Sequence, residues 1–81
     1  MWVVYILICS DNTFYTGITI DIQRRLIEHN DSNKWAKYTK TRRPVQIIYT
    51  AHFNTRSEAS KEEHRIKNLT RKQKEELIKN F

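Results

Sequence analysis

A chain of 81 residues fits one domain, spanning 1–81, with a modest core, since a domain of this size buries roughly 60–65% of its unfolded surface. Fifteen Lys and Arg against nine Asp and Glu give a formal net charge of +6, which points to a polyanionic partner, nucleic acid first among them. No run of about 18 apolar residues exists to span a membrane, the apolar opening Trp2 to Cys9 is too short and lacks the basic flank of a secretory signal, and a lone cysteine fits a reducing, cytoplasmic setting.

Residues 2–8, WVVYILI, are apolar throughout, as expected of a strand buried on both faces and placed centrally in its sheet. Its β-branched and aromatic content favours strand over helix. Ser10-Asp11-Asn12-Thr13 is a turn, because Asp and Asn bond their own backbone and tolerate a left-handed conformation. Residues 14–18 then return antiparallel.

Register decides which side chains of this hairpin meet. Tyr5 and Tyr15 share a face only if opposed residue numbers sum to an even number, because side chains alternate with period two. A two-residue Asp-Asn loop gives an odd sum, whereas a three-residue loop with a bulge of the G1 type gives an even one. We expect the latter. Gly17 then lies on the tyrosine face, where a missing side chain lets another group approach the backbone.

Thr19 or Asp21 caps a helix running to about Asn30, with Ile22 and Leu26 on its inner stripe and Arg25 and His29 together on a neighbouring face. In DSNKWAKYTKTRRP, residues 31–44, one helical turn around Trp35–Tyr38 precedes an extended basic connection ended by Pro44. Residues 45–50, VQIIYT, form a third strand. Thr55-Arg56-Ser57-Glu58 is a capping box opening a helix to about Asn68, whose apolar stripe is Ala59, Ile66 and Leu69. Thr70 caps a last helix, with Leu77 and Ile78 inward, ending at Phe81. The expected fold is α+β, a small three-stranded antiparallel sheet flanked by helices in the order ββα(α)βαα.

Cys9, His29, His52 and His64 lack the spacing of a zinc site, and one glycine cannot build a phosphate cradle. Glu62 and Glu63 both flank the Ala59–Ile66 stripe, and periodicity does not choose between them. Taken together, however, V-Y-I-L at 4–7, Y-T-G at 15–17, R-R-L-x-x-H at 24–29, R-R-P-V before the third strand, S-E-A-x-x-x-E-x-x-I-K at 57–67 and L-T-R-x-x-K at 69–74 resemble the GIY-YIG nuclease family. The likeness runs along essentially the whole chain and is nearest to the small stand-alone bacterial members. Val3-Val4-Tyr5 and Tyr15-Thr16-Gly17 stand for the two name-giving motifs.

The resemblance implies a GIY-YIG fold and an endonuclease acting on DNA, with RNA as the other nucleic-acid substrate. It implies catalytic roles for Tyr5, Tyr15, Arg25 and His29, and makes Glu63, four residues after Ala59, the ligand of a single Mg or Mn ion. It also implies a later polar residue, commonly Asn, for which Asn68 and Asn80 match by type alone. This chemistry is coherent. Arg25 offers a planar fork to a phosphate, and one carboxylate suits an ion that keeps most of its waters. Tyr5 would be the base for water, with Tyr15 or His29 as accessory, provided nearby positive charge lowers a phenol pKa of about 10.

The segment Lys34 to Arg43 interleaves basic and aromatic residues, which suits phosphate contact and stacking. We read Trp35 as core, and Lys37, Lys40, Arg42 and Arg43 as candidate nucleic-acid contacts, with Lys67 extending the patch toward Arg71 and Lys72. A second reading is a nucleic-acid-binding module of the same fold with little or no cleavage, and a third is a protein-interaction module. Binding through five or six phosphate contacts predicts a slope of about −5 in log K against log salt, measured by DNA titration between low and moderate salt; a flat response removes both nucleic-acid readings.

Overall fold

The structure is a computed structural model that describes residues 1–31, apart from the Asp31 side chain, and 42–80. Its elements are β1 (Trp2–Ile8), β2 (Phe14–Thr19), α1 (Ile22–Asp31), β3 (Gln46–Phe53), α2 (Arg56–Lys67) and α3 (Arg71–Lys79). All strand pairs are antiparallel and the sheet order is β2-β1-β3, so the all-apolar strand is central. The α+β architecture is therefore the one expected. The helical turn at Trp35–Tyr38, the core placement of Trp35 and the position of Phe81 lie outside the described residues.

The hairpin takes the even register. Tyr5 opposes Gly17 and Leu7 opposes Tyr15. The turn explains why: the Cys9 N–H donates to Thr13 O at 2.9 Å, the Asn12 N–H donates to Cys9 O at 2.9 Å, and Asn12 has φ 67°. Asn is one of the few residues that adopt this left-handed conformation readily. Asp11 stiffens the turn by accepting from the Thr13 hydroxyl at 2.6 Å and the Thr13 N–H at 3.1 Å.

Alternation on β1 then sorts the core into two. Val4 and Ile6 pack with Tyr49 of β3 and with Ala59 and Ile66 of α2, and Leu77 and Ile78 of α3 close over them. Tyr5, Leu7 and Cys9 pack on the other face with Val45, beneath Ile22 and Leu26 of α1. Helices cover both faces, as the uninterrupted apolar pattern of β1 requires. A bulge shifts the β1–β3 register between Ile6 and Leu7, so that Ile6 opposes Tyr49 but Leu7 opposes Ile47. The extra residue turns Ile47 toward the α1 side while Ile48 packs on the α2 side.

The helix ends resolve what was open in the sequence. Asp21 is the cap of α1, accepting from the Arg24 N–H at 3.0 Å, and Thr19 supports it by accepting from the Asp21 N–H at 3.1 Å. Thr55 caps α2 by accepting from the Glu58 N–H at 3.2 Å, but its hydroxyl donates to the Glu58 carboxylate, so the reciprocal half of the box is absent. The full box belongs to α3, where Thr70 and Gln73 each satisfy the other's backbone N–H. β3 runs to Phe53, three residues beyond the expected Thr50. The Arg43–Pro44 peptide leading into it is cis.

Gly17 is where this packing is least forgiving. A Cβ built there would lie 2.5 Å from Tyr5 Oη, 2.7 Å from Tyr5 Cζ and 3.1 Å from Tyr15 Cε1. The group that approaches its backbone is thus the Tyr5 phenol itself. Gly17→Ala is expected to lower the unfolding free energy by about 1–3 kcal/mol, the usual cost of overpacking, read from chemical denaturation.

Candidate functional site

Tyr5 is 1% exposed, and its position follows from β1 being central and Gly17 being opposite. Its hydroxyl lies 3.0 Å from His29 Nε2, and Arg25 Nε donates to it at 3.4 Å. Arg25 and His29 are one turn apart on α1, so the same helix supplies both neighbours of the phenol. Tyr15 completes the group, with its ring centroid 4.8 Å from that of His29 in an edge-on arrangement and 6.2 Å from that of Tyr5 in a tilted one. Four of the five residues expected to be catalytic therefore meet in one cluster, with Gly17 as its floor.

The C-terminal half of α1 is tied down by contacts that the sequence did not signal. Asn30 accepts from the Val45 N–H at 2.9 Å and donates to Val45 O at 3.3 Å, pairing the helix end with the chain entering β3. Arg43 donates from Nε to His29 O at 2.6 Å and from Nη2 to Glu28 O at 3.4 Å. Its guanidinium thus satisfies carbonyls of the last helical turn, where positive charge is favoured. Glu28 accepts from Arg25 Nη1 at 3.3 Å, which aims the arginine's Nε at the phenol. An i,i+3 spacing from Arg25 was the only available hint of that pairing.

Burial sets the protonation states. It pushes the Tyr5 phenol up to about 12, with the charges of Tyr15 and Glu63 adding to the rise and the Arg25 hydrogen bond and charge opposing it. That direction is opposite to what a base near neutrality needs. Burial likewise drives the His29 imidazole down to about 4, helped by Arg25 and Arg43 and opposed by Glu28. A neutral His29 can accept at Nε2 the proton of a hydroxyl whose oxygen already accepts from Arg25. Burial works against the Arg25 charge, yet the hydrogen bonds and charges around Tyr5 and Glu28 outweigh it.

The two glutamates separate in space. Glu62 is held by Arg65 through two bonds of 2.6 and 2.7 Å, and its charge is felt by Tyr49. Glu63, with its side chain 23% exposed, pairs with Lys67 at 3.2 Å, and its charge is felt by Tyr5. Among the described residues no three His, Cys, Asp or Glu side chains converge on a metal position. A lone, partly exposed carboxylate fits a hydrated Mg or Mn ion and does not fit zinc.

The remaining candidates lie elsewhere. Arg42 is ion-paired to Asp11 at 3.0 Å, and its carbonyl accepts from the Ser10 N–H and hydroxyl, so it fastens the hairpin turn. Asn68 and Asn80 cap the C-termini of α2 and α3. Lys37 and Lys40 lie outside the described residues. No helix among the described residues is long and apolar enough to cross a membrane.

Comparison with known proteins gives a consistent picture. A family model described as the GIY-YIG catalytic domain matches residues 1–76. The chain is similar to the UPF0213 protein of Desulfotalea psychrophila, 53% identical over 78 residues that cover 96% of this chain and 71% of that protein. The UPF0213 protein of Halobacterium salinarum is 53% identical over 75 residues, 93% of this chain and 96% of the relative. Two solution NMR structures share the fold. A UPF0213 protein of Bacillus halodurans has a TM-score of 0.63 at 42% identity, covering 98% of this chain and 84% of that one. A protein of E. faecalis has a TM-score of 0.67 at 52% identity, covering 98% and 83%.

The His29 assignment carries a pH signature. Its folded pKa of about 4 lies below the unfolded value of about 6.5, so the unfolded chain binds the extra proton between them. The resulting stability is present above about pH 6.5 and is lost as pH falls through about 4. NMR titration is expected to show the His29 ring protonating near pH 4, and unfolding midpoints should fall across the same window; an imidazole titrating near 6.5 would contradict its burial.

Proposed function

The chain belongs to the GIY-YIG catalytic domain family, a nuclease family, and on that premise we propose that it is an endonuclease hydrolysing phosphodiester bonds in DNA. The observation that carries this reading is the Tyr5 hydroxyl held between Arg25 Nε and His29 Nε2 on a rigid strand. Hydrolysis of a phosphodiester needs water deprotonated, the phosphate oriented and its charge balanced, and each requirement has a candidate residue.

Arg25 sets its Nε against the Tyr5 hydroxyl and its Nη1 on Glu28, and a guanidinium fork matches two phosphate oxygens in a way that an ammonium cannot. The Tyr5 oxygen takes a proton from the attacking water while its own proton passes to His29 Nε2. The new bond forms between the water oxygen and phosphorus, and the bond from phosphorus to the leaving oxygen breaks, that oxygen taking up a proton from solvent water. The pKa values of the free protein are far from neutrality, but an arriving phosphate anion stabilises imidazolium and draws His29 upward. Tyr5 then serves as a relay, and its high pKa is not a barrier because no free phenolate need accumulate.

GIY-YIG nucleases generally use a divalent ion, and in this chain Glu63 would hold it. The ion, when bound, supplies positive charge to the phosphate and its leaving oxygen. Lys67, which pairs with Glu63 at 3.2 Å, would be the cation nearest such an ion's carboxylate and could contact the phosphate beside it. We assign Arg43 to the end of α1 and Arg42 to the hairpin turn, and keep Lys37, Lys40 and Lys67 as the phosphate contacts.

A second reading, binding without cleavage, is favoured by the near-complete burial of Tyr5 and His29, each 1% exposed. The two readings part in one experiment: plasmid and branched DNA incubated with Mg²⁺ or with EDTA, beside Glu63→Ala and Arg25→Lys. Cutting that needs metal, falls at least about a hundredfold in Glu63→Ala and about tenfold or more in Arg25→Lys, with DNA affinity changed less than threefold by Arg25→Lys, is the expected result. Cutting unchanged in Glu63→Ala would sink the assignment, and binding with no cutting would leave the second reading.

A further inference from the structure

A cleft of about 330 Å³ opens where β1 begins, β2 ends and α1 starts. Trp2, Ile18 and Ile20 supply apolar walls, and Arg24, Arg25 and Glu28 supply polar ones. We propose that this cleft binds one unpaired nucleotide of a substrate strand, next to the phosphate engaged at Arg25. The inference rests on the nucleic-acid reading above and names the form of substrate that the site accepts.

Three observations converge on that occupant. First, the lining has the same division as a nucleotide, with the apolar side chains Trp2, Ile18 and Ile20 beside the charged Arg24, Arg25 and Glu28. Its volume is at the low end of small-ligand sites, room for one base rather than a stacked pair. Second, the charge balance at the cleft is positive. Among the described lining residues Arg24 and Arg25 are the cations and Glu28, already paired with Arg25 at 3.3 Å, is the one carboxylate, while the Arg56 guanidinium sits over one face of the Trp2 ring, 5.5 Å from its centroid. An anionic ligand is favoured there.

Third, Arg25 belongs to both places. Its Nε reaches the Tyr5 hydroxyl at 3.4 Å while the residue forms part of the cleft wall. A strand whose phosphate sits on that guanidinium has its adjacent sugar and base within reach of Trp2. Paired bases have their faces covered by their neighbours in the stack, so a stacking surface of this kind rewards an unpaired nucleotide. Ile20, 62% exposed at the rim, is a large apolar side chain left in water in the free protein.

The test is equilibrium binding in EDTA, where cleavage plays no part. Fluorescence anisotropy compares labelled tetrathymidylate with an abasic deoxyribose-phosphate tetramer of equal charge, in the wild type, Ile20→Glu and Arg24→Ala. Ile20 and Arg24 are exposed, so both variants are expected to keep the wild-type unfolding midpoint. The wild type should bind the base-bearing tetramer about tenfold tighter than the abasic one. Ile20→Glu should bring that ratio near one, and Arg24→Ala should weaken both tetramers alike. In a Trp35→Phe background the base-bearing tetramer alone should quench the emission of Trp2. A wild-type ratio near one, or a ratio kept in Ile20→Glu, overturns the cleft assignment. Binding of duplex DNA with no binding of either tetramer overturns it as well and leaves the nuclease reading standing. Failure to bind any nucleic acid removes both.

Discussion

The close packing of the Tyr5 phenol against the backbone of Gly17 is the contact on which the site depends. With the aromatic ring filling the space of an absent side chain, the hydroxyl is carried to a fixed point beneath α1, where His29 and Arg25 meet it. Any other residue opposite Tyr5 would displace the ring toward the helix. That pairing in turn exists because Asn12 accepts a left-handed conformation and sets the hairpin loop at three residues. One turn residue thus determines which side chains occupy the face under α1, since a slip by one residue would exchange the two faces of β2.

The same burial that orders the cluster shifts its hydrogen-bonded pair away from neutrality, Tyr5 upward and His29 downward. Desolvation disfavours the charged form of each, so the resting pair is neutral and the hydrogen bond between them joins an intact phenol to an uncharged imidazole. Arg25 is the charge nearest the pair, and it is compensated by Glu28 rather than by ionised tyrosine. A buried neutral pair beside a compensated cation is stable without substrate. It becomes polarised only when a new charge enters, which is how a preorganised site limits reorganisation at the moment of reaction.

The positive charge of the chain is not one surface. Arg42 holds the hairpin turn through Asp11, Arg43 closes the carbonyl end of α1, and Arg65 is fastened to Glu62. Arg71 lies 3.7 Å from the centroid of Phe14 and bonds Asn12 O, tying the start of α3 to the same turn. These guanidiniums stabilise the fold by bidentate, stacking or carbonyl contacts that lysine makes less well. The count of fifteen Lys and Arg therefore overstates the number of cations available to a polyanion.

Much was legible in the chain itself because it is local. The apolar run of β1, the caps at Thr55 and Thr70 and the inner stripe of α1 follow from alternation and helical period, and the order of motifs identified the family along its whole length. Elsewhere local information was ambiguous. Thr19 and Asp21 were equivalent as caps until the hydrogen bonds placed Asp21 at the helix start. Glu62 and Glu63 were equivalent by period; the family resemblance singled out Glu63, and in the structure the charge of Glu62 is felt by Tyr49 and that of Glu63 by Tyr5. Arg43 stayed open as a candidate contact because nothing in its neighbourhood of sequence announces the end of α1, fourteen residues earlier for His29. Periodicity in the chain gave the order of the described elements and put Arg25 and His29 on one helix face, and the family resemblance joined them to Tyr5 and Tyr15. Only the tertiary structure decided that they meet in a buried, neutral cluster, because burial and desolvation are set by what packs over a group and have no signature in the segment that carries it.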